Sequence, residues 1–217
     1  MIADELVQVI LVDSTGTHAE TVTAAAQASL TAFRMASDSW EPWLAASFTK
    51  TVRRVKPAQF DLAASRFDAR DITVRRHGPP TSMGRALAFA PMLAADFPRE
   101  VVRAQVAGTD MDRTGLTRAT EATLQFLLDG AECLVVVNDD LGMSTGKECA
   151  QAAHGAWLGA LALGVTPYKV NPVIRRVDQA TFDALCARPD GVVCMDAGRT
   201  ELAGPTRTVV TFTNGKR

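Results

Sequence analysis

The chain carries one ten-residue phrase twice. Val52-Arg-Arg-Val-Lys-Pro-Ala-Gln-Phe-Asp61 and Ile174-Arg-Arg-Val-Asp-Gln-Ala-Thr-Phe-Asp183 are identical at six of ten positions. A repeat at long spacing constrains a fold more than local propensity does, because one supersecondary unit must then be built twice. The flanking patterns agree with that reading. In the first half, strands are expected over 6–12 and 49–55, an Ala-rich helix over 18–33, and a helix with an early Pro over 57–65. Further strands are expected at 72–75 and 86–90, parted by Gly78-Pro79-Pro80. The second half gives strand 134–137, helix 145–163, strand 171–177, helix 179–187, and strands 192–195 and 207–213. The order is strand, helix, strand, helix, strand, strand, twice over. Outside it fall a short helical or irregular piece at 43–48, an ambiguous stretch at 99–107, a polar loop at 108–115, and a helix at 117–128. The expected fold is α/β: two similar small domains, each a mixed four-stranded sheet packed by helices. The divisions are a degenerate domain at 1–95, a linker with a helix at 96–130, and a second domain at 131–217.

The most informative stretch is 134–157, LVVVNDDLGMSTGKECAQAAHGAW. A short, β-branched apolar run suits a strand covered on both faces, and Asn138, Asp139, Asp140 and Gly142 break it with turn chemistry. Ser144 is placed to cap the following helix, without the Glu or Gln of a full capping box, since Lys147 holds that position. On the helix, Lys147, Gln151 and His154 lie at i, i+4 and i+7 and share one narrow stripe. Cys149, Ala153, Ala156 and Ala160 form a separate small-residue face suited to close packing on the sheet. In open α/β sheets ligands bind at the carboxyl ends of strands, which is where this stripe begins. The loop does not make a phosphate-binding P-loop. Three residues, not four, separate Gly142 from Gly146, and Glu148 follows Lys147 where a hydroxyl is needed.

Two motifs resemble the type 2 peptidyl-tRNA hydrolases, the archaeal and eukaryotic kind. The first is Asp140-Leu141, Met143-Ser144, Gly146-Lys147, Ala150-Gln151 and His154. The second is Asp196-Ala197-Gly198-Arg199-Thr200, followed by Gly204 and Thr208-Val209-Val210. The likeness covers roughly residues 131–217, and the whole chain then resembles a bacterial tandem-domain form with a degenerate N-terminal copy. It implies hydrolysis of the ester between a peptide's C-terminal carboxylate and the 3′-ribose of tRNA. It implies Lys147, Asp196 and Thr200 as catalytic residues, and Gln151, His154, Ser144, Arg199 and Thr208 as substrate-binding ones. Lys147 suits a developing oxyanion near a helix N-terminus, and Asp196 can orient a water or accept its proton. The N-terminal copy has no Lys at the place of Lys147 and reads Arg76-His77-Gly78-Pro79-Pro80 where the second motif belongs. Asn138, Thr145 and Gly155 depart from the family pattern, which has Arg, Lys or Pro, and Ala at these places. Two other functions stay open at this point: a non-catalytic RNA-binding or regulatory protein on the same fold, and a hydrolase of another small ester or amide.

Composition sets the outer bounds. A net charge of −1 over 217 residues makes no generic polyanion binder, so any tRNA contact needs a local patch. From Lys50 to Arg85 there are nine Lys/Arg against three Asp, with Arg53, Arg54, Arg75 and Arg76 the first choices for that surface. Cys133, Cys149, Cys186 and Cys194 lack metal-site spacing, so neither metal nor cofactor is expected. There is no Ser-His-Asp order and no G-x-S-x-G elbow. No apolar run reaches membrane-span length and no basic signal segment opens the chain. The expectation is a reduced cytoplasmic protein, a monomeric pseudo-dimer or a homodimer.

Overall fold

The computed structural model describes residues 5–46, 48–198 and 201–214. In chain order the elements are β1 (Leu6–Asp13), α1 (His18–Thr31), α2 (Trp40–Ala45), β2 (Lys50–Val55), α3 (Pro57–Arg66), β3 (Ile72–His77), β4 (Gly84–Phe89), β5 (Met92–Leu93), α4 (Arg99–Val102) and α5 (Glu121–Gly130). They continue as β6 (Cys133–Asn138), α6 (Thr145–Leu163), β7 (Pro172–Val177), α7 (Gln179–Cys186), β8 (Val192–Asp196) and β9 (Thr206–Thr213).

The chain is α/β, with two mixed sheets of the same topology. The first runs β2-β1-β4-β3, with β5 also pairing with β1, and the second runs β7-β6-β9-β8. In each, the first strand pairs parallel with the second and antiparallel with the fourth. The registers match residue by residue. Ile10 lies opposite Val52 and Ala88, while Val135 lies opposite Ile174 and Thr211. The ten-residue phrase thus occupies the same place in both units, the second strand and the helix after it.

Alternation along the strands then builds the layers. Ile10 and Val12 face inward with Val135, Val137 and Val209, and one apolar cluster joins these to Ala24, Ala28, Ala153, Ala156 and Trp157. Within that central layer α1 packs along α6. The opposite sheet faces bury Val9, Leu11 and Leu87 against Phe60 and Ala63 of α3, and Val136 and Val210 against Phe182 and Leu185 of α7. The order is helix, sheet, helix pair, sheet, helix. Among the described residues no helix is long and apolar enough to cross a membrane.

Three expectations need correction. The helix expected over 117–128 begins four residues later and ends at Gly130. Ala119 N–H instead donates to Arg176 O, Arg118 is drawn to Asp139 and Asp140, and Thr120 caps the helix through Thr123 N–H. The small-residue face of α6 does not lie on the sheet. Gly155 and Gly159 take that place: a Cβ at 155 would sit 2.8 Å from Val135 Cγ1, and one at 159 only 2.5 Å from Cys133 Sγ. Cys149, Ala153, Ala156 and Ala160 are fully buried in the central layer, about a quarter-turn round the helix at ~100° per residue.

The polar loop at 108–115 is no loose linker. His18 N–H donates to Asp112 O at 2.8 Å, Met111 N–H to Thr145 Oγ1 at 3.0 Å, and Gly146 N–H to Thr109 Oγ1 at 3.0 Å. One segment therefore satisfies orphan amides at the N-termini of both α1 and α6.

Candidate functional site

The site grows from the N-terminus of α6. Ser144 is the cap, its Oγ accepting from Lys147 N–H at 3.2 Å, and the helix then runs unbroken to Leu163 with Gly164 closing it in the left-handed conformation. Lys147 thereby sits in the first turn, and Gln151 and His154 follow on its stripe. Strand β8 ends opposite them. A bulge between Cys194 and Met195 alters the register just before Asp196, a device that re-aims a side chain at a strand end.

Lys147 Nζ then meets Asp196 Oδ2 at 2.6 Å, with both side chains about one-tenth exposed (10% and 11%). Gln151 Nε2 donates to the same oxygen at 2.7 Å. The other oxygen, Oδ1, accepts from Gly198 N–H at 2.8 Å. Gly198 has φ +71, and a Cβ there would lie 2.5 Å from the backbone of Gly204, so the turn closes only over glycine. Gln151 is oriented in turn: its Oε1 accepts from the fully buried Thr208 hydroxyl at 2.7 Å and from the Cys194 thiol at 3.7 Å. Burial pushes that thiol up to about 11. Thr208 therefore acts through Gln151. Thr200 and Arg199 lie outside the described residues.

His154 is tied elsewhere. Its Nδ1 lies 3.3 Å from Nζ of Lys50, which comes from β2 of the other unit, and the Phe48 ring packs on the imidazole with centroids 5.0 Å apart. Burial, then the Lys50 and Lys147 charges, hold the imidazole well below its ordinary value. The sequence marked Lys50 only as the first cation of the basic run, with no sign that it reaches this site. It starts a strand in the half that lacks the motifs, and only the packing of β2 beside α6 brings it in.

Ser144 has company of its own. Glu201 takes the Ser144 N–H at 3.0 Å and also its hydroxyl, so a carboxylate covers the start of α6. An open cleft of about 570 Å³ lies alongside, lined by Gly108, Asp110, Gly142, Ser144 and Glu201 among others.

The departures from the family pattern have local reasons. Asn138 is buried, accepting from Asp140 N–H at 3.2 Å and donating to Gln179 at 2.8 Å. Thr145 Oγ1 meets His18 Nδ1 at 2.8 Å at the seam between units. Gly155 is dictated by Val135.

Aligning the caps Thr17 and Ser144 puts Glu20 at the place of Lys147, and matching the last residues of β3 and β8 puts His77, rather than the Arg76 of the sequence alignment, at that of Asp196. These two also meet, His77 Nε2 lying 3.5 Å from Glu20 Oε2. The first unit thus places an acid and a base nearby in exchanged order, in a looser and more exposed contact than that of Lys147 with Asp196.

The basic patch fares unevenly. Arg53 is buried and donates to Val101 O at 3.0 Å, so it offers nothing to a ligand. Arg85 is spent on Asp13 and Asp61. Arg76 is exposed, while Arg54 and Arg75 are half-buried.

Compared with known proteins, the chain matches no family model, no curated protein and no solved structure.

Proposed function

We propose that the protein hydrolyses the ester of peptidyl-tRNA, as the type 2 peptidyl-tRNA hydrolases it resembles do, using residues 131–217 as the catalytic unit and residues 1–95 as its degenerate, pseudo-dimeric partner. One observation carries the reading. Lys147 and Asp196, 49 residues apart and each from a different motif, form a close pair at the surface end of a strand.

An ester needs a placed water, an acceptor for its proton, and a donor for the oxyanion. Asp196 orients the water and takes its proton. Lys147, in the first helical turn, stabilises the oxyanion. Gln151, fixed by Thr208, keeps the carboxylate in place, and Ser144 and His154 border the substrate. Arg199 and Thr200 belong to the same closing motif.

The test is single-turnover release of tRNA from an N-blocked aminoacyl-tRNA in chelator. Asp196→Asn keeps the shape but removes the proton acceptor, and a loss of ~10²–10⁴ in rate is expected. Wild type without cleavage but with tRNA retained on a filter points instead to an RNA-binding protein.

A second reading, hydrolysis of a small ester or amide, is favoured by one feature. The described lining of the cleft at Ser144 holds Asp110 and Glu201 and no Lys or Arg, and three of the four chosen arginines are buried or half-buried. Turnover of small esters without tRNA discriminates it.

A further inference from the structure

The stripe of α6 ends on a residue that the other unit controls. Lys50 is 8% exposed, and no carboxylate among the described residues lies within ion-pair distance of its Nζ. Its neighbours are Phe48 O at 3.3 Å, the ring faces of Trp43 and Phe48 at 4.7 and 4.6 Å, and His154 Nδ1 at 3.3 Å. Stability alone does not ask for such a group, since a buried unpaired amine is costly.

The related place across the seam shows what suffices structurally. There Gln27, ten residues after its cap as His154 is after Ser144, donates to Asn171 Oδ1 at 3.0 Å. Asn171 lies one residue before the match of Lys50. An exposed neutral amide pair stands in one unit, and a more buried titratable pair in the other, on the stripe that carries Lys147 and Gln151.

We infer that Lys50 is a positioning residue for the candidate site, donating to Nδ1 of His154 so that the ring's proton sits on Nε2 and is offered to an acceptor oxygen of the substrate. An amine has the two N–H groups needed for Phe48 O and Nδ1 in either charge state. Among the described residues Nε2 forms no hydrogen bond, which leaves it free for a ligand, and the Phe48 ring fixes the imidazole plane. The groups bearing on the pair are Lys147 on α6 and Cys194 on β8, and burial first, then the Lys50 and Lys147 charges, hold the imidazole in its neutral form. The site of one unit is thus completed by the other, which gives the degenerate copy a chemical task. The substrate role rests on the hydrolase reading, while the tautomer does not.

Two measurements on the full chain separate them. Nitrogen-15 shifts of His154 are expected to show a neutral ring protonated on Nε2 at pH 7, and a mixture of tautomers in Lys50→Met. A proton on Nδ1, an imidazolium at pH 7, or an unchanged ring in the variant overturns the inference, whatever the activity. With N-blocked aminoacyl-tRNA as probe, Lys50→Met is expected to lower kcat roughly tenfold or more at unchanged KM, the usual scale for a displaced catalytic group. An altered tautomer with unchanged kcat overturns the positioning role. The expected tautomer in a wild type that cleaves no tRNA overturns the hydrolase reading and leaves the Lys50–His154 assignment intact. A normal unfolding transition for Lys50→Met shows that any loss is not a loss of fold.

Discussion

Gly155 shows how much one missing carbon decides. Alanine is the better helix former, by up to ~1 kcal/mol, and would suit α6 in isolation. At this position its Cβ would press within 2.8 Å of Val135 Cγ1 and 2.9 Å of Thr211 Oγ1, both on stiff β-branched residues. Overpacking costs ~1–3 kcal/mol, so Gly155→Ala is expected to lose about 1 kcal/mol net in urea unfolding; a raised midpoint contradicts the close packing. Lys50 has the opposite character, a residue that weakens the fold where it stands. Burial lowers its pKa well below the ordinary value. The unfolded chain therefore binds a proton the native amine holds poorly, and stability falls as pH drops below ~10.4. Lys50→Met is accordingly expected to raise the unfolding midpoint at pH 7, with the gain shrinking as pH approaches 10. A gain independent of pH argues against the buried amine.

At the scale of elements, α6 is the strand-to-site connection, and its first turn carries most of the local information. Ser144 and the Ala-rich interior were readable in the sequence, because caps and propensity are local physics. Its boundaries came out as expected, Thr145 to Leu163. The start of α5 did not, since three tertiary hydrogen bonds outweigh the propensity of residues 117–120. Ser144→Ala removes both the cap and the hydroxyl donor to Glu201. A loss of ~1 kcal/mol is expected by chemical unfolding, and Glu201 is expected to detach from the helix start. If Glu201→Gln alone weakens the fold as much as Ser144→Ala, the cap is not the larger contribution.

Across the whole molecule the seam between units holds one buried charge cluster. Glu148 meets His18 Nε2 at 2.6 Å and Arg176 at 2.5 Å, the latter a close ion contact without hydrogen-bond alignment, and all three are buried. Burial raises Glu148, but the His18 hydrogen bond and the Arg176 charge outweigh it, and the pKa ends lowered. A lowered carboxylate stabilises the fold above the unfolded pKa of ~4.3 and ceases to as pH falls through its native value. Glu148→Gln strands a buried guanidinium, for which ~3–5 kcal/mol is typical. The variant is expected to unfold earlier at pH 7 and to lose part of the acid-induced slope seen in wild type. An unchanged slope assigns acid sensitivity elsewhere. The repeat, the order of elements, the Ser144 cap and the Lys147–Gln151–His154 stripe were determined by the sequence itself, because each rests on spacing within one element or on identity between two. The meeting of Lys147 with Asp196 was suggested by resemblance and needed the bulge in β8 to form. The burial of Arg53, the clasp at 108–115, the exchanged Glu20–His77 pair and the reach of Lys50 to His154 were decided only by tertiary structure. Each depends on contacts between elements distant in sequence, from 34 positions for Met111 with Thr145 to 104 for Lys50 with His154, and such contacts leave no periodic trace in either segment alone.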